Sequence, residues 1–467
     1  MSPLSACSLF VLAVMVLMAS RRLALLGMLA GVLYFSETQS LQLAGLNMYA
    51  LRFLEVAGFV RVIGRREFRL GKLNRIDRAF LLLYGYTTLV FLLRSTGHYA
   101  YQIGCAVDAC LCYFTFRGLL QTGEHFRTFL RDFVVLLVPF VALVLVEALS
   151  AHNVFWSTGA GPEEIWYRGS RVRCRGSFEF AGCLGTLGAS FLPLYIGLGF
   201  ARTDRRLAAA GIGLCALIIW ESNSGGPVST AAFALAAWLF WPLRMRMKWV
   251  RRGLVGAVLA AGLLMQAPLW YLSARVSAFS GGTGWHRSYL LDKAFQNLGE
   301  WGLAGMPLSA TSDWFPYVLA ETGAADITNE FLSFGVAAGV PAIALLILLL
   351  TRAFSALGKA QAAVRFGIGG SLESGLLIWG LGAMLAAHAV NWLGVSYFDQ
   401  IHAIFFVQLA AISAVAASCW EGTEIVAAQP GLAHDDAGGI EGAPAGQDLF
   451  GGVAGTECGG VPGRPHG

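Results

Sequence analysis

The sequence predicts an all-α fold, a polytopic transmembrane helical bundle of about 12–13 spans, and three observations carry that expectation. Of the 467 residues, 56% are hydrophobic and only 13% are charged. The mean hydropathy is +0.62, too apolar for a chain of this length to remain dissolved as a globular domain. Apolar runs of spanning length recur from the first residues to about position 418. Between them, Lys and Arg gather at alternate connections, the pattern that orients a multi-pass protein.

The runs lie at about 4–20, 23–40, 45–63, 79–94, 98–116, 132–149, 179–200, 207–222, 227–243, 253–271, 329–350, 371–392 and 400–418. No basic residue and no small-residue cleavage site marks the first of these, so it is expected to be a retained span. Arg21-Arg22, the set from Arg61 to Arg78, Arg117 to Arg131, Arg202 to Arg206, Arg244 to Arg252 and Arg352 to Arg365 fall on one side, which the bias assigns to the cytoplasm. The connections 150–178, 273–328 and 393–399 then face outward. Residues 1–420 form the expected transmembrane domain. From about Glu421 the chain is rich in Gly, Ala, Pro and Asp, so 421–467 is expected to be a disordered cytoplasmic tail.

Composition also sets aside some functions. The formal charge of +5 is small and no soluble module presents a basic face, so nucleic acid is not an expected partner. Cys105, Cys110 and Cys112 share one apolar run, where cysteine acts as a small hydrophobe. The absence of a visible internal repeat weakens a transporter built from inverted repeats.

The polar stretch Ser273 to Thr328, wedged between two apolar runs, is too long for a structureless loop and is expected to fold into a cap. It holds a turn at Gly281 to Gly284, then Trp285-His286-Arg287. An amphipathic helix follows, with Tyr289, Leu290, Ala294 and Leu298 near helical spacing. Arg287 can point into a cavity beneath the cap or anchor it at head-group level; His286 reads more readily as structural than catalytic. In the other outward loop, Arg168, Arg171, Arg173 and Arg175 oppose the positive-inside bias. Guanidinium groups suit bidentate contact with phosphate oxygens, although Glu163, Glu164 and anionic head groups offer them ordinary neutralisation. Asp326 and Glu330, four apart, are expected to share a helix face, with Asp326 capping the helix. A carboxylate one turn inside the membrane at Glu330 is costly enough to suggest function. Glu55, Asp108, Glu221, His388 and Asp399 are further polar residues within or at the ends of apolar runs, with no relay visible among them.

Three segments together resemble the O-antigen ligase and polymerase superfamily, bacterial multi-span glycosyltransferases that use polyprenyl-diphosphate-linked sugars. Arg171-Val-Arg173-Cys-Arg175-Gly176-Ser-Phe178, followed by Gly185, is similar to the family's arginine, glycine and aromatic pattern entering a span. Thr283-Gly284-Trp-His-Arg287, with Ala294 and then Leu303-Ala-Gly305, resembles its loop signature. Asp326-Ile-Thr328-Asn329-Glu-Phe-Leu332, followed by Gly335 and Gly339, resembles its Asp-x-His-Asn segment. The likeness covers about residues 45–420. Thr328 stands where the family's ligases carry histidine, and Phe180-Ala181 replaces a frequent His-Pro, which disfavours a lipid A ligase and favours a polymerase.

The resemblance implies an inverting glycosyltransferase without metal or cofactor, in the bacterial inner membrane. It would polymerise undecaprenyl-diphosphate-linked repeat units into an O-antigen or exopolysaccharide at the outer face. Arg173 and Arg287 would neutralise the leaving diphosphate, with Arg171, Arg175, Trp285 and Asn329 contacting substrate. Glu330, Asp326 or His286 would take the acceptor proton. Partners implied are the lipid bilayer, the lipid-linked oligosaccharide, and the flippase and chain-length regulator of the same pathway. The alternatives are ligase-type transfer of a finished glycan to lipid or protein, and a transporter of lipid-linked sugar or solute.

Overall fold

The computed structural model describes residues 1–428 apart from 37, 44–45, 69–70, 95–98, 158–163, 272–283, 315–323, 367–370 and 399. The expected tail at 421–467 therefore lies largely outside the described residues, as does Asp399. The chain divides into two compact units, Met1–Thr423 and Glu424–Gly467, and the first of them holds the helical bundle.

Helices α1 (Pro3–Met18), α2 (Arg21–Tyr34), α3 (Ala50–Gly64), α4 (Arg75–Arg94), α5 (Tyr99–Leu119) and α6 (Gly123–Ser150) occupy the first six apolar runs. A single turn, α7 (Val154–Ser157), precedes α8 (Ala181–Leu198), α9 (Arg205–Glu221), α10 (Gly225–Leu239) and α11 (Met247–Leu264). The cap contributes α12 (Gly284–Gln296) and α13 (Leu298–Trp301), and the chain finishes with α14 (Glu330–Ala338), α15 (Val340–Arg365), α16 (Leu372–Asn391) and α17 (Gln400–Ala428). Two antiparallel hairpins interrupt the helices. One pairs β1 (Ser40–Leu43) with β2 (Leu46–Tyr49), and the other pairs β3 (Tyr167–Arg168) with β4 (Arg171–Val172).

Local chemistry fixes many of the helix starts. Ser2, Ser20, Thr122 and Ser371 each accept an N–H from the first turn, satisfying a donor the helix cannot. By length and composition, six helical stretches suffice to cross a membrane: α4, α6, α8, α15, α16 and the Gln400–Ser418 part of α17. A seventh is counted if α10 and the segment through α11, bent by 66°, form one span. The sequence expectation of a full-length span at every apolar run is thus met only in part among the described residues. At 14 residues, α2 rises only about 21 Å, short of a hydrocarbon core of about 30 Å.

Each end of the bundle is stitched by its own interactions. At the basic end, Arg22 makes a two-pronged pair with Asp132 at 2.5 and 2.6 Å. Arg127 and Arg131 share Asp204 at 2.9 and 2.7 Å. Arg61, 3% exposed, pairs with Glu67 and donates to the Val16 and Ala19 carbonyls, satisfying the orphan acceptors at the end of α1. The basic connections therefore act as ties between helices. At the opposite end several connections meet: Gln400 donates to the Phe35 and Ser177 carbonyls. Glu147, at the end of α6, accepts the N–H groups of Arg175 and Gly176, both at 2.9 Å.

The apolar run expected as one span at 329–350 is two helices. The chain turns at Gly339, whose φ is +83°, and Glu330 and Phe334 of α14 share a cavity wall with Leu346 and Leu349 of α15. Glycine is required at the turn because a Cβ there would lie 2.4 Å from the Leu303 carbonyl oxygen. Gly305, φ +72°, has the reciprocal constraint, with a Cβ placed 2.3 Å from the Val336 oxygen. Arg94, at the end of α4, donates to the Ala304 and Val336 carbonyls at 3.0 and 3.3 Å. The cap is thus seated backbone to backbone on the α14–α15 turn.

That seating generates a stability prediction. Gly305→Ala combines an unfavourable φ with a backbone clash, which is expected to cost about 1–3 kcal/mol and lower the melting temperature of the detergent-solubilised protein. Gly382→Ala, in α16 with nothing within 4 Å of the added methyl, is expected to leave it unchanged or raise it. Equal melting of both variants would contradict the docking of the cap.

Candidate functional site

The four arginines of the loop 150–178, alike in sequence, have different fates. Arg171 pairs with Glu221 at 3.1 Å and lies 4.5 Å over the Trp220 ring, fastening the hairpin to the end of α9. Arg175 is buried; its guanidinium stands 3.7 Å from the Trp156 ring centroid and donates to the Glu164 carbonyl at 3.0 Å. Both side chains are therefore engaged in holding the loop. Arg168 and Asn223 exchange hydrogen bonds at 3.3 and 3.1 Å, joining the hairpin to the α9–α10 connection. The guanidinium of Arg173 makes no hydrogen bond or ion pair among the described residues, and its Nε is buried.

Arg287 comes to the same region from the cap. On α12 the buried face, His286, Leu290 and Ala294, packs into a small core with Trp301, Met306 and Leu332. This leaves Arg287 directed at the connection between α16 and α17, where a Cβ on Gly394 would lie 3.1 Å from its Cζ. Among the described residues its guanidinium also makes no hydrogen bond or ion pair. Burial, and then the charge of Arg168, lowers the pKa of Arg173 from the ordinary arginine value. The same two causes, in the same order, act on Arg287, with Asp326 opposing them. Arginine remains charged throughout the physiological range, so the cause matters more than the shift. Three positive charges are held near one another, and two of them are partly stripped of water. An anion with several oxygens is the natural complement of that arrangement.

The remaining expected site residues divide. His286 is buried, and burial lowers its pKa from the usual imidazole value, with the carboxylate and backbone of Asp326 acting against it. Trp285 is 63% exposed and stacks on Tyr289 at 5.4 Å. Asp326 precedes the helix rather than lying on it. The expected shared face for Asp326 and Glu330 is therefore absent, because α14 starts only at Glu330. The cap of α14 is Asn329, which accepts the Leu332 N–H at 2.9 Å and donates to the Leu393 carbonyl at 3.2 Å. Asn329 is thus a structural residue and Asp326 is not the cap.

Glu330 is buried beneath the α16–α17 connection. Its Oε2 accepts the Tyr397 N–H at 2.6 Å, and its Oε1 lies 3.5 Å from Nε2 of His402. The Tyr397 hydroxyl contacts His388 Nδ1 at 2.5 Å and accepts from Asn391 at 3.3 Å. From there polar contacts extend to Thr186 of α8 and Thr230 of α10 through Asn391, and to Gln408 and Ser190 through His388. His388, isolated in sequence, belongs to this network. Sequence reasoning does not single out Arg168 from its neighbours, nor His402 at all. For His402, a titratable residue near the start of an apolar run is the available signal.

No protein-family model matches this chain, and no curated protein matches it. The likeness to the O-antigen ligase and polymerase superfamily rests on the three motifs alone.

The division among the arginines predicts opposite effects on stability. Arg175→Ala removes a buried cation held by an aromatic ring and a carbonyl, and is expected to lower the melting temperature by several degrees, a cost of about 1–3 kcal/mol. Arg173→Ala removes a half-buried charge beside another arginine, and is expected to leave the melting temperature unchanged or higher. Equal losses in thermal unfolding would contradict the assignment of separate roles.

Proposed function

We propose that this chain is an inverting glycosyltransferase that polymerises polyprenyl-diphosphate-linked oligosaccharide repeat units at the outer face of the bacterial inner membrane. The observation that carries the reading is the pair of partly buried guanidinium groups, Arg173 and Arg287, which make no hydrogen bond or ion pair among the described residues and lie near Arg168 at one end of an apolar bundle. A sugar diphosphate needs fixed positive charge most when the sugar–phosphate bond breaks and the diphosphate gains electron density. Donors already in place at that moment lower the barrier without reorganisation.

In this reading the chain has about 12–13 spans, the shorter helices tilting or thinning the bilayer locally. The ion-paired basic end faces the cytoplasm, and the arginine site faces outward. A lipid-linked donor places its tail in the bilayer and its diphosphate at that level. Thr328, at the position of the resembling family's histidine, presents a buried hydroxyl without a hydrogen-bond partner among the described residues. A hydroxyl there supplies no base near neutral pH, which favours a polymerase over a ligase of that type.

The test is transfer from an undecaprenyl-diphosphate oligosaccharide by the purified protein in lipid. Arg287→Ala is expected to lower the rate roughly a hundredfold or more, the effect of removing one preorganised charge contact, while expression and melting hardly change. Arg287→Lys keeps the charge but loses the forked donor geometry and recovers only part of the rate. Equal product yield from wild type and both variants would contradict the proposed role.

A further inference from the structure

Glu330 and His402 form a second arrangement, centred on the α16–α17 connection. Glu330 is fixed by its first carboxylate oxygen on the Tyr397 N–H and by its own N–H on the Trp392 carbonyl at 2.9 Å. Its other oxygen faces His402 Nε2 at 3.5 Å. The carboxylate-bearing side chain is 5% exposed and the imidazole side chain 29%. The imidazole is therefore the more accessible of the two groups. The ring of His402 stacks on Phe406 at 5.9 Å and meets Tyr397 edge-on at 6.1 Å, so its plane is set by packing. Beside the pair is a cavity of about 10 Å³, room for about one water.

Taking the glycosyltransferase reading above as its basis, we propose that His402 is the proton acceptor for the attacking sugar hydroxyl and that Glu330 is its positioning residue. A carboxylate at ion-pair distance from Nε2 favours the tautomer with its proton on that nitrogen, which leaves the lone pair on Nδ1, and Nδ1 has no hydrogen-bond partner among the described residues. A carboxylate placed behind an imidazole fixes the tautomer and stabilises the imidazolium that forms. Glu330 faces the ring from α14. Tyr84 of α4 and Tyr397 present phenols, and α15 presents Leu346 and Leu349. The carboxylate is thus the charge facing the imidazole among these elements.

The reaction balances without a co-reactant. Nδ1 takes the hydroxyl proton as the acceptor oxygen bonds to the anomeric carbon from the face opposite the leaving group. The bond from that carbon to the phosphate oxygen breaks, and its electron pair leaves on the diphosphate, whose charge Arg173 and Arg287 offset. The imidazolium then returns its proton to water.

The experiment measures transfer from an undecaprenyl-diphosphate oligosaccharide against pH for wild type, His402→Gln and Glu330→Gln, with melting recorded for each. His402→Gln is expected to lose roughly a hundredfold or more in rate, within the range for a general base, and to lose the acid limb of the profile. Glu330→Gln is expected to retain a limb displaced to lower pH, because the imidazolium no longer has an anionic neighbour. His402→Asn, a second replacement of different length, should behave as His402→Gln if the base is what is missing. Wild-type transfer with an unchanged rate and acid limb in the folded His402 variants overturns the dyad alone. No transfer by folded wild type from any lipid-diphosphate donor overturns the glycosyltransferase reading and the dyad with it.

Discussion

Tyr397 ties one end of the bundle together. Its hydroxyl engages His388 and Asn391, its N–H fixes Glu330, and its ring stands against His402. The neighbouring Phe398 packs edge-on against Phe180 at the start of α8. Because the same connection carries Gly394, against which Arg287 lies, one short segment positions both the cap arginine and the buried carboxylate. A buried hydroxyl bonded on several sides holds its backbone in one place, since breaking any of those bonds would strand a polar group away from water. The polar groups beneath the connection are in this sense its foundation.

Among the described residues, Arg173 and Arg287 stand out as guanidinium groups without an ion pair. Arg61, Arg127 and Arg131 at the other end all have carboxylates within 3.0 Å, and Arg171 has Glu221. Removing water from a cation without supplying an anion costs stability. Proteins hold such strain where a ligand later relieves it, and a doubly charged group arriving with a substrate is a suitable one. The cap supplies the second half of the arrangement, and its seating depends on two glycines whose Cβ positions are occupied by carbonyl oxygens of the opposing strand of chain.

Much of this architecture is legible in the apolar runs, since each run does hold a helix. The loops 150–178 and 273–328, and the arginines and histidine in them, can be named because polar stretches between such runs are conspicuous. Gly339 escapes sequence reading because nothing nearby distinguishes a helical glycine from one at a turn; the deciding neighbour is the Leu303 carbonyl. The capping role falls to Asn329 rather than Asp326 because α14 begins later than spacing alone suggests. Four arginines in one loop cannot be ranked without knowing that Trp156, Trp220 and Glu221 engage two of them. His402 is hidden by its setting, since its carboxylate partner lies on another helix.

The central claim is that Arg173 and Arg287 together hold a diphosphate. Native mass spectrometry of the purified protein with undecaprenyl diphosphate and undecaprenyl monophosphate in competition tests it directly, independently of turnover. Wild type is expected to retain the diphosphate in clear preference, and the folded Arg173→Ala, Arg287→Ala double variant to lose that preference. Equal retention of both lipids by wild type, or an undiminished preference in the double variant, would contradict the account.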